Sequence, residues 1–344
     1  MARGLLKGGH VALKKRIAVT LPAGHRVADT IARMQWAEAN GYDDAWFGDS
    51  GAPDSLTSAA AAAHAVERLR VGVAATPVYT RSPSILAATA HVLAQVLPGR
   101  FVMGLGSSSQ TMMGQWNGLA LEKPVTRVTE TAQLVRTMLS AEKTNFDGAT
   151  LSSHGYRQAP LDQPPPIYIA ALRPKMIEAA AQVGDGVIFN LWPKSVLPKM
   201  MEHVKIGAER AGKDWQEVEV VNRAMVLCTD DIELGRSLFR ANFAPYYATP
   251  VYNSFLAWAG YDGAADTITE GWAQKDRTKT TGALSNELIE EVAIIGNEDQ
   301  IRQRIAEDAA GGIHTHIIAP FLGSPDELVA RTFEAFTPDQ FQLP

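Results

Sequence analysis

From end to end the chain alternates short apolar runs with longer helix-compatible stretches, and it completes eight such cycles. The apolar runs are residues 17–21, 45–48, 71–75, 101–105, 167–171, 187–190, 218–228 and 315–320. Most are apolar at consecutive rather than alternate positions, as parallel strands buried on both faces require. The stretches between them carry helical spacing: 27–40, 55–66, 83–96, 124–139, 174–182, a segment ending near 210, 232–258, 298–310 and 325–336. Their ends are punctuated as helix ends are. Gly41 follows the first, Asp54 stands where it can cap the second, and Pro83 and Pro174 occupy first-turn positions. Eight strands, each followed by a helix, predict an α/β fold of the (β/α)8 TIM-barrel type, with insertion loops at its C-terminal mouth.

A chain of 344 residues could form one large domain or two average ones, and such barrels often exceed 250 residues as one. The expected division is a flexible basic arm over 1–14 and a single barrel domain over 15–344. Two segments depart from the repeat. Residues 107–123, with Trp116, and 260–285, with Trp272, are rich in small and polar residues and read as mouth loops or lids. Plain surface decoration is the alternative for both.

The net charge of −5 leaves no electrostatic footprint for nucleic acid. No apolar stretch approaches the ~20 residues of a bilayer span, and the N-terminus lacks a secretory pattern. The expectation is a cytoplasmic soluble protein with a small-molecule substrate, no nucleic-acid or membrane partner, and a homodimer as the assembly to consider. The one cysteine, Cys228, excludes an intrachain disulfide and reads as a buried small hydrophobe.

Chemistry is expected where strands 71–75 and 101–105 run into polar turn segments, because ligands bind at the C-terminal strand edge of such folds. Gly104-Leu105-Gly106-Ser107-Ser108-Ser109 lacks the third glycine of a dinucleotide fingerprint and the lysine of a P-loop. It reads as a close backbone approach to a flat ligand. Residues 170–176 end a strand and start a helix, where free N–H groups with Arg173 and Lys175 could bind phosphate; an ordinary turn with two solvated cations is the alternative. Asp49 ends the second strand and could orient a substrate, shuttle a proton, or only cap its turn. His314 and His316 form a His-x-His pair. They lie at the N-terminal end of the last strand with no carboxylates to join them, so no metal is expected.

Taken together, several stretches resemble the bacterial luciferase-like superfamily of flavin and deazaflavin oxidoreductases over about residues 15–336. They are 37–46 (AEANGYDDAW), Arg81-Ser82-Pro83 with Gly99-Arg100-Phe101, 166–170 (PIYIA) leading to Gly184-Asp185-Gly186, and Ile294-Ile295-Gly296. Residues 107–118 (SSSQTMMGQWNG), followed by Glu122-Lys123-Pro124 and Arg127, resemble the branch that uses the deazaflavin coenzyme F420.

The resemblance implies a barrel whose mouth holds the cofactor ring. It also implies a non-proline cis peptide in the third strand, at Val73–Ala74, forming a bulge behind the ring. Thr76, Gly106, Ser107, Ser108 and Ser109 would border the cofactor, and Ala171, Leu172, Arg173, Pro174 and Lys175 would receive its phosphate. Asp49 would face the ring's polar edge, with Ser50 beside it as the second candidate catalytic residue. Sugar-phosphate dehydrogenases of the family carry a histidine at the position of Ser50 and a glutamate at that of Ser109. Their absence argues against a sugar substrate, and Trp116, Trp192 and Trp272 point to a more hydrophobic one. The implied activity is hydride transfer between the deazaflavin C5 and an organic substrate. The alternatives are an FMN-dependent monooxygenase, a non-catalytic cofactor-binding protein and, last, a metal-dependent barrel hydrolase.

Overall fold

The computed structural model describes residues 13–21, 26–49 and 53–344. Eight parallel strands close into a (β/α)8 barrel: β1 (Arg16–Thr20), β2 (Asp44–Phe47), β3 (Arg70–Val73), β4 (Phe101–Gly106), β5 (Ile167–Ala170), β6 (Gly186–Asn190), β7 (Glu219–Cys228) and β8 (Thr315–Ala319). β1 pairs with β8, and β6 with β7, so no edge among the eight is left open. Helices α1 (Val27–Ala39), α2 (Ser55–Ala62), α3 (Pro83–Val96), α4 (Pro124–Leu139), α5 (Pro174–Val183) and α6 (Leu197–Arg210) follow the first six strands. Asp54 caps α2 by accepting from the Thr57 N–H at 2.8 Å, and Ser82 caps α3 ahead of Pro83.

Strand alternation sorts the two cores. Outward side chains such as Val71, Val73, Met103 and Leu105 join the helices in one large apolar cluster. Inward ones, Ala18, Trp46, Val102, Tyr168, Ile188, Val221 and Ile317, fill the barrel. Below them lies a buried ionic layer. Arg70 Nη2 bonds Asp44 at 2.5 Å and Glu219 at 2.7 Å, and Glu219 also accepts from Tyr168 and Thr315, each at 2.5 Å. Burial pushes Glu219 up, but the Arg70, Thr315 and Tyr168 hydrogen bonds outweigh it and hold the carboxyl at about 2. Burial raises Asp44, against the pull of Arg70 and Arg16.

Five expectations change. The cis bond is Ala74–Ala75, one residue beyond the expected place. β3 ends at Val73, two residues short of the expected 75: its partnership with β2 ends as the Ala74 N–H bonds the Phe47 carbonyl, and Thr76–Pro77 then form a separate pairing with β4. Residues 260–285 are not an open loop. They fold mostly into α9 (Asp262–Ala273) and α10 (Arg277–Gly282), after α7 (Ile232–Tyr247) and α8 (Pro250–Trp258). The glycine and threonine that suggested a loop are close-packing residues, since a Cβ on Gly271 would lie 2.7 Å from Thr280 Oγ1. Residues 107–123 hold a wide helical turn, Thr111–Trp116. Finally, Gly104 serves the protein's own packing: a Cβ there would sit 1.8 Å from the Val73 carbonyl oxygen.

The chain continues through α11 (Asn286–Val292) and the short strand Ile294–Gly296, which extends β7 above the barrel. α12 (Glu298–Ala310) and α13 (Asp326–Glu334) complete the helical layer. Of the expected arm, residues 1–12 lie outside the described residues, whereas Lys14 is described and pairs with Asp43. Among the described residues no helix is long and apolar enough to cross a membrane. Cys228 is buried, and burial together with Glu298 pushes its thiol to about 11.

Candidate active site

The mouth is formed where the strands end. On one side Asp49 lies two residues past β2, with its side chain only 5 % exposed. Arg81 Nη1 donates to its Oδ2 at 3.3 Å, and the other end of the same guanidinium binds Asp54. Arg81 therefore ties the loop after β2 to the loop after β3. Burial pushes the Asp49 carboxyl above the ordinary carboxylate range, and nearby Asp54 adds to this while Arg81 opposes it. The hydroxyls of Ser55 and Thr76 lie against the carboxylate and draw it down, although neither meets strict hydrogen-bond geometry with any partner. A buried carboxyl with a raised pKa, one cation and two adjustable hydroxyls can hold or release a proton. The turn that Asp49 could cap, residues 50–52, lies outside the described residues, and the cap of α2 is Asp54. Ser50 lies outside the described residues.

The wall beside Asp49 is made of small side chains. Ala74, Ala75 and Ala170 keep accessible surface at the strand ends. A Cβ on Gly106 would lie 3.4 Å from both Ala75 and Ala170. Ser107, Ser108 and Ser109 continue from it, half-buried, with Ser108 in the left-handed region at φ 62° and Ser109 Oγ accepting from the Met112 N–H at 3.3 Å.

Beyond the wall, α5 begins at Pro174 with Arg173 at its cap position, and among the described residues no side chain bonds its first N–H groups. Arg173 and Lys175 are exposed, and no ion pair among the described residues involves them. Three residues of the expected set point elsewhere. Val73 and Ala171 face the outer core, because the inward positions next to them are Gly72, Ala74 and Ala170. Thr76 is wholly buried and reaches the site only through its hydroxyl beside Asp49. Of the expected lid tryptophans, Trp116 and Trp272 are 61 % and 54 % exposed, whereas Trp192 is buried and donates to Asn222 Oδ1 at 2.8 Å. Trp192 packs rather than covers.

Sequence reasoning passed over the opposite side of the mouth. Asn190 and Arg223 are register partners on β6 and β7, and each is the next inward position above a residue of the barrel filling, Ile188 and Val221. Asn190 Nδ2 donates to the Tyr252 hydroxyl of α8 at 2.8 Å. The available signal was an arginine beside Asn222 inside a mostly apolar run, in phase with Glu219 and Val221. His316 is fully buried, and burial with the adjacent His314 lowers it to about 3. Among the described residues no group of three or more His, Cys, Asp or Glu side chains gathers as a metal site.

A family profile described as luciferase-like monooxygenase matches residues 8–315. The 5,10-methylenetetrahydromethanopterin reductase of Methanolobus tindarius is 28 % identical over 292 residues, covering 84 % of this chain and 88 % of its own. The coenzyme F420-dependent tetrahydromethanopterin reductase structure from Methanopyrus kandleri superimposes with a TM-score of 0.78 at 19 % identity, over 94 % of this chain and 98 % of that one. The oxygenating constituent of 3,6-diketocamphane monooxygenase from Pseudomonas putida, in complex with FMN, gives 0.68 at 17 % identity, over 97 % and 100 %. At these identities the two structures establish the shared fold.

Proposed function

The chain belongs to the luciferase-like monooxygenase family, and from that premise we propose that it is an oxidoreductase using the deazaflavin coenzyme F420 and a small organic substrate. The observation that carries the reading is the strip of small residues Ala74, Ala75, Gly106 and Ala170 at the strand ends, with Asp49 after β2 and the basic start of α5 after β5 at the same edge. Such a strip fits a flat ring, and the first turn of α5 with Arg173 and Lys175 fits a phosphate attached to it. When bound, the deazaflavin would supply or accept a hydride at C5, which is the reacting atom of the cofactor itself.

The protein's own residues supply placement, proton control and exclusion of water. Asp49 would face the ring's polar edge, where a carboxyl of raised pKa takes or returns a proton more readily than an exposed one. Arg81 fixes its orientation from the neighbouring loop. Ser109 stands where a second acid would serve a sugar substrate, so alcohols and conjugated carbonyls are the preferred class over sugar phosphates. Trp116, exposed on the turn after β4, is the side chain we assign to cover the ring.

The test is a substrate panel with F420-loaded protein under anaerobic conditions, followed by the deazaflavin absorbance. Cofactor reduction or oxidation by an alcohol or conjugated carbonyl supports the reading, and efficient oxidation of sugar phosphates contradicts the substrate class. The FMN-bound neighbour of the same fold favours one other reading, a monooxygenase; oxygen uptake fuelled by reduced FMN would identify it. A protein that binds cofactor but turns nothing over would be a carrier.

A further inference from the structure

On the side of the mouth facing the strip, the fold places a cation with no counter-charge. Arg223 sits one inward step above Val221, beside Asn190 on the adjoining strand. Among the described residues no carboxylate lies within ion-pair distance of it, and its one side-chain hydrogen bond there is a weak one, from Nη1 to Met225 Sδ at 3.8 Å. The other deep arginine of the barrel, Arg70, is held by two carboxylates. Arg223 keeps part of its surface accessible, yet the protein around it desolvates the guanidinium enough to lower its pKa, with only Tyr246 and Tyr252 opposing.

Its neighbours are unsatisfied in a complementary way. Asn190 Nδ2 is used by the Tyr252 hydroxyl, but Asn190 Oδ1 is buried with no donor among the described residues. The Tyr252 hydroxyl accepts that bond, and none of the described residues accepts its own proton. Burial raises this phenol to about 12, so it is a donor at neutral pH. The cluster thus presents a guanidinium fork, one O–H donor and one orphaned amide acceptor. A desolvated cation without a partner is costly unless an anion completes it, and the planar group that matches an arginine fork is a carboxylate.

We propose that Arg223, with Tyr252 and Asn190, forms a carboxylate-binding subsite at the barrel mouth, and that the substrate of this protein carries a carboxylate. Arg223 takes the two carboxylate oxygens, Tyr252 donates to one of them, and Asn190 Oδ1 accepts from a hydroxyl or N–H near the acid. Arg223 is then a specificity-determining residue. The inference rests on the oxidoreductase reading for what happens to the ligand, but the binding itself does not depend on which cofactor is used.

The experiment keeps the two apart. F420 is first titrated into wild type and Arg223→Gln by its fluorescence, which tests the cofactor reading alone. Cinnamate and cinnamamide, an acid and amide of the same shape, are then titrated by calorimetry into each protein, with F420 and without it. The expected result is that wild type prefers cinnamate over cinnamamide, and that Arg223→Gln loses about 10- to 100-fold in cinnamate affinity with cinnamamide unchanged, the range for a charge-assisted pair. F420 affinity should be the same in both proteins. Arg223→Lys, which keeps the charge should the glutamine variant fail to fold, should retain part of the acid preference. Equal affinity of wild type for acid and amide, including no binding of either, overturns the proposal. So does a loss of F420 binding in Arg223→Gln, which would assign the arginine to the cofactor.

Discussion

Replacing Asp49 by asparagine separates chemistry from stability at this site. The substitution keeps the shape of a side chain that is 5 % exposed and removes its charge. In the folded protein the carboxyl is raised, with burial as the main cause and Arg81 only partly offsetting it. A carboxyl whose pKa is higher folded than unfolded binds its proton more tightly in the native state. Its ionisation therefore costs stability once the pH passes the unfolded value, and that cost is complete above the folded one. Asparagine removes the cost at neutral pH, while Arg81 keeps its pairing with Asp54. The predicted outcome is an unchanged or slightly raised melting temperature, within about 2 °C of wild type by the usual scaling for a chain of this size. If Asp49 positions the ring or relays a proton, turnover should fall by about 10²- to 10⁴-fold, the worth of one acid–base group. The assay is steady-state kinetics with F420 across pH beside thermal denaturation of both proteins. Wild-type kcat/KM should show an acidic limb above the ordinary aspartate value, and the variant should lack it. Full activity with an unchanged pH profile would refute the catalytic role, and a large loss of stability would refute the electrostatic reasoning.

Four further outcomes follow from the same geometry. Arg173→Ala should weaken F420 binding by about 1–3 kcal/mol while leaving the melting temperature of the cofactor-free protein unchanged, because the side chain is exposed; fluorescence titration and calorimetry check this. Arg70→Met strands the buried Asp44 and Glu219 carboxylates and should destabilise the protein by about 3–5 kcal/mol in urea denaturation. Glu219, held at about 2 when folded against 4.5 ordinarily, contributes stability that is whole above pH 4.5 and is lost as pH falls through 2, so acid denaturation of wild type should fall in that window and flatten in Glu219→Gln. Gly104→Ala drives a methyl into the Val73 carbonyl and should cost about 1–3 kcal/mol or prevent folding, measured as the denaturation midpoint.

The barrel was legible because its strands are apolar on both faces and its helices carry their own stops. Pro83, Pro174 and Asp54 each stand where the structure uses them. What the pattern could not separate was packing from function among small residues. Gly104 looked like a ligand-facing glycine and instead admits a neighbouring carbonyl, and Gly271 looked like loop and instead lets two helices touch. Side-chain facing was the second blind spot. Val73 and Ala171 were grouped with the mouth, though the period of two turns them outward. Asp49 was visible as an acid at a strand end, but Arg81 as its partner depends on two loops meeting in space. Arg223 was hidden inside an apolar run until the phase set by Glu219 and Val221 placed it at the mouth.

The central claim is that the mouth is built for a deazaflavin, and competitive titration of F420 against FMN into the purified protein tests it most directly. The account predicts clearly tighter binding of F420, weakened by Arg173→Ala, with negligible oxygen uptake in the presence of NADH and FMN. Tighter binding of FMN, accompanied by oxygen uptake fuelled by NADH through a flavin reductase, would contradict it and make the protein a monooxygenase.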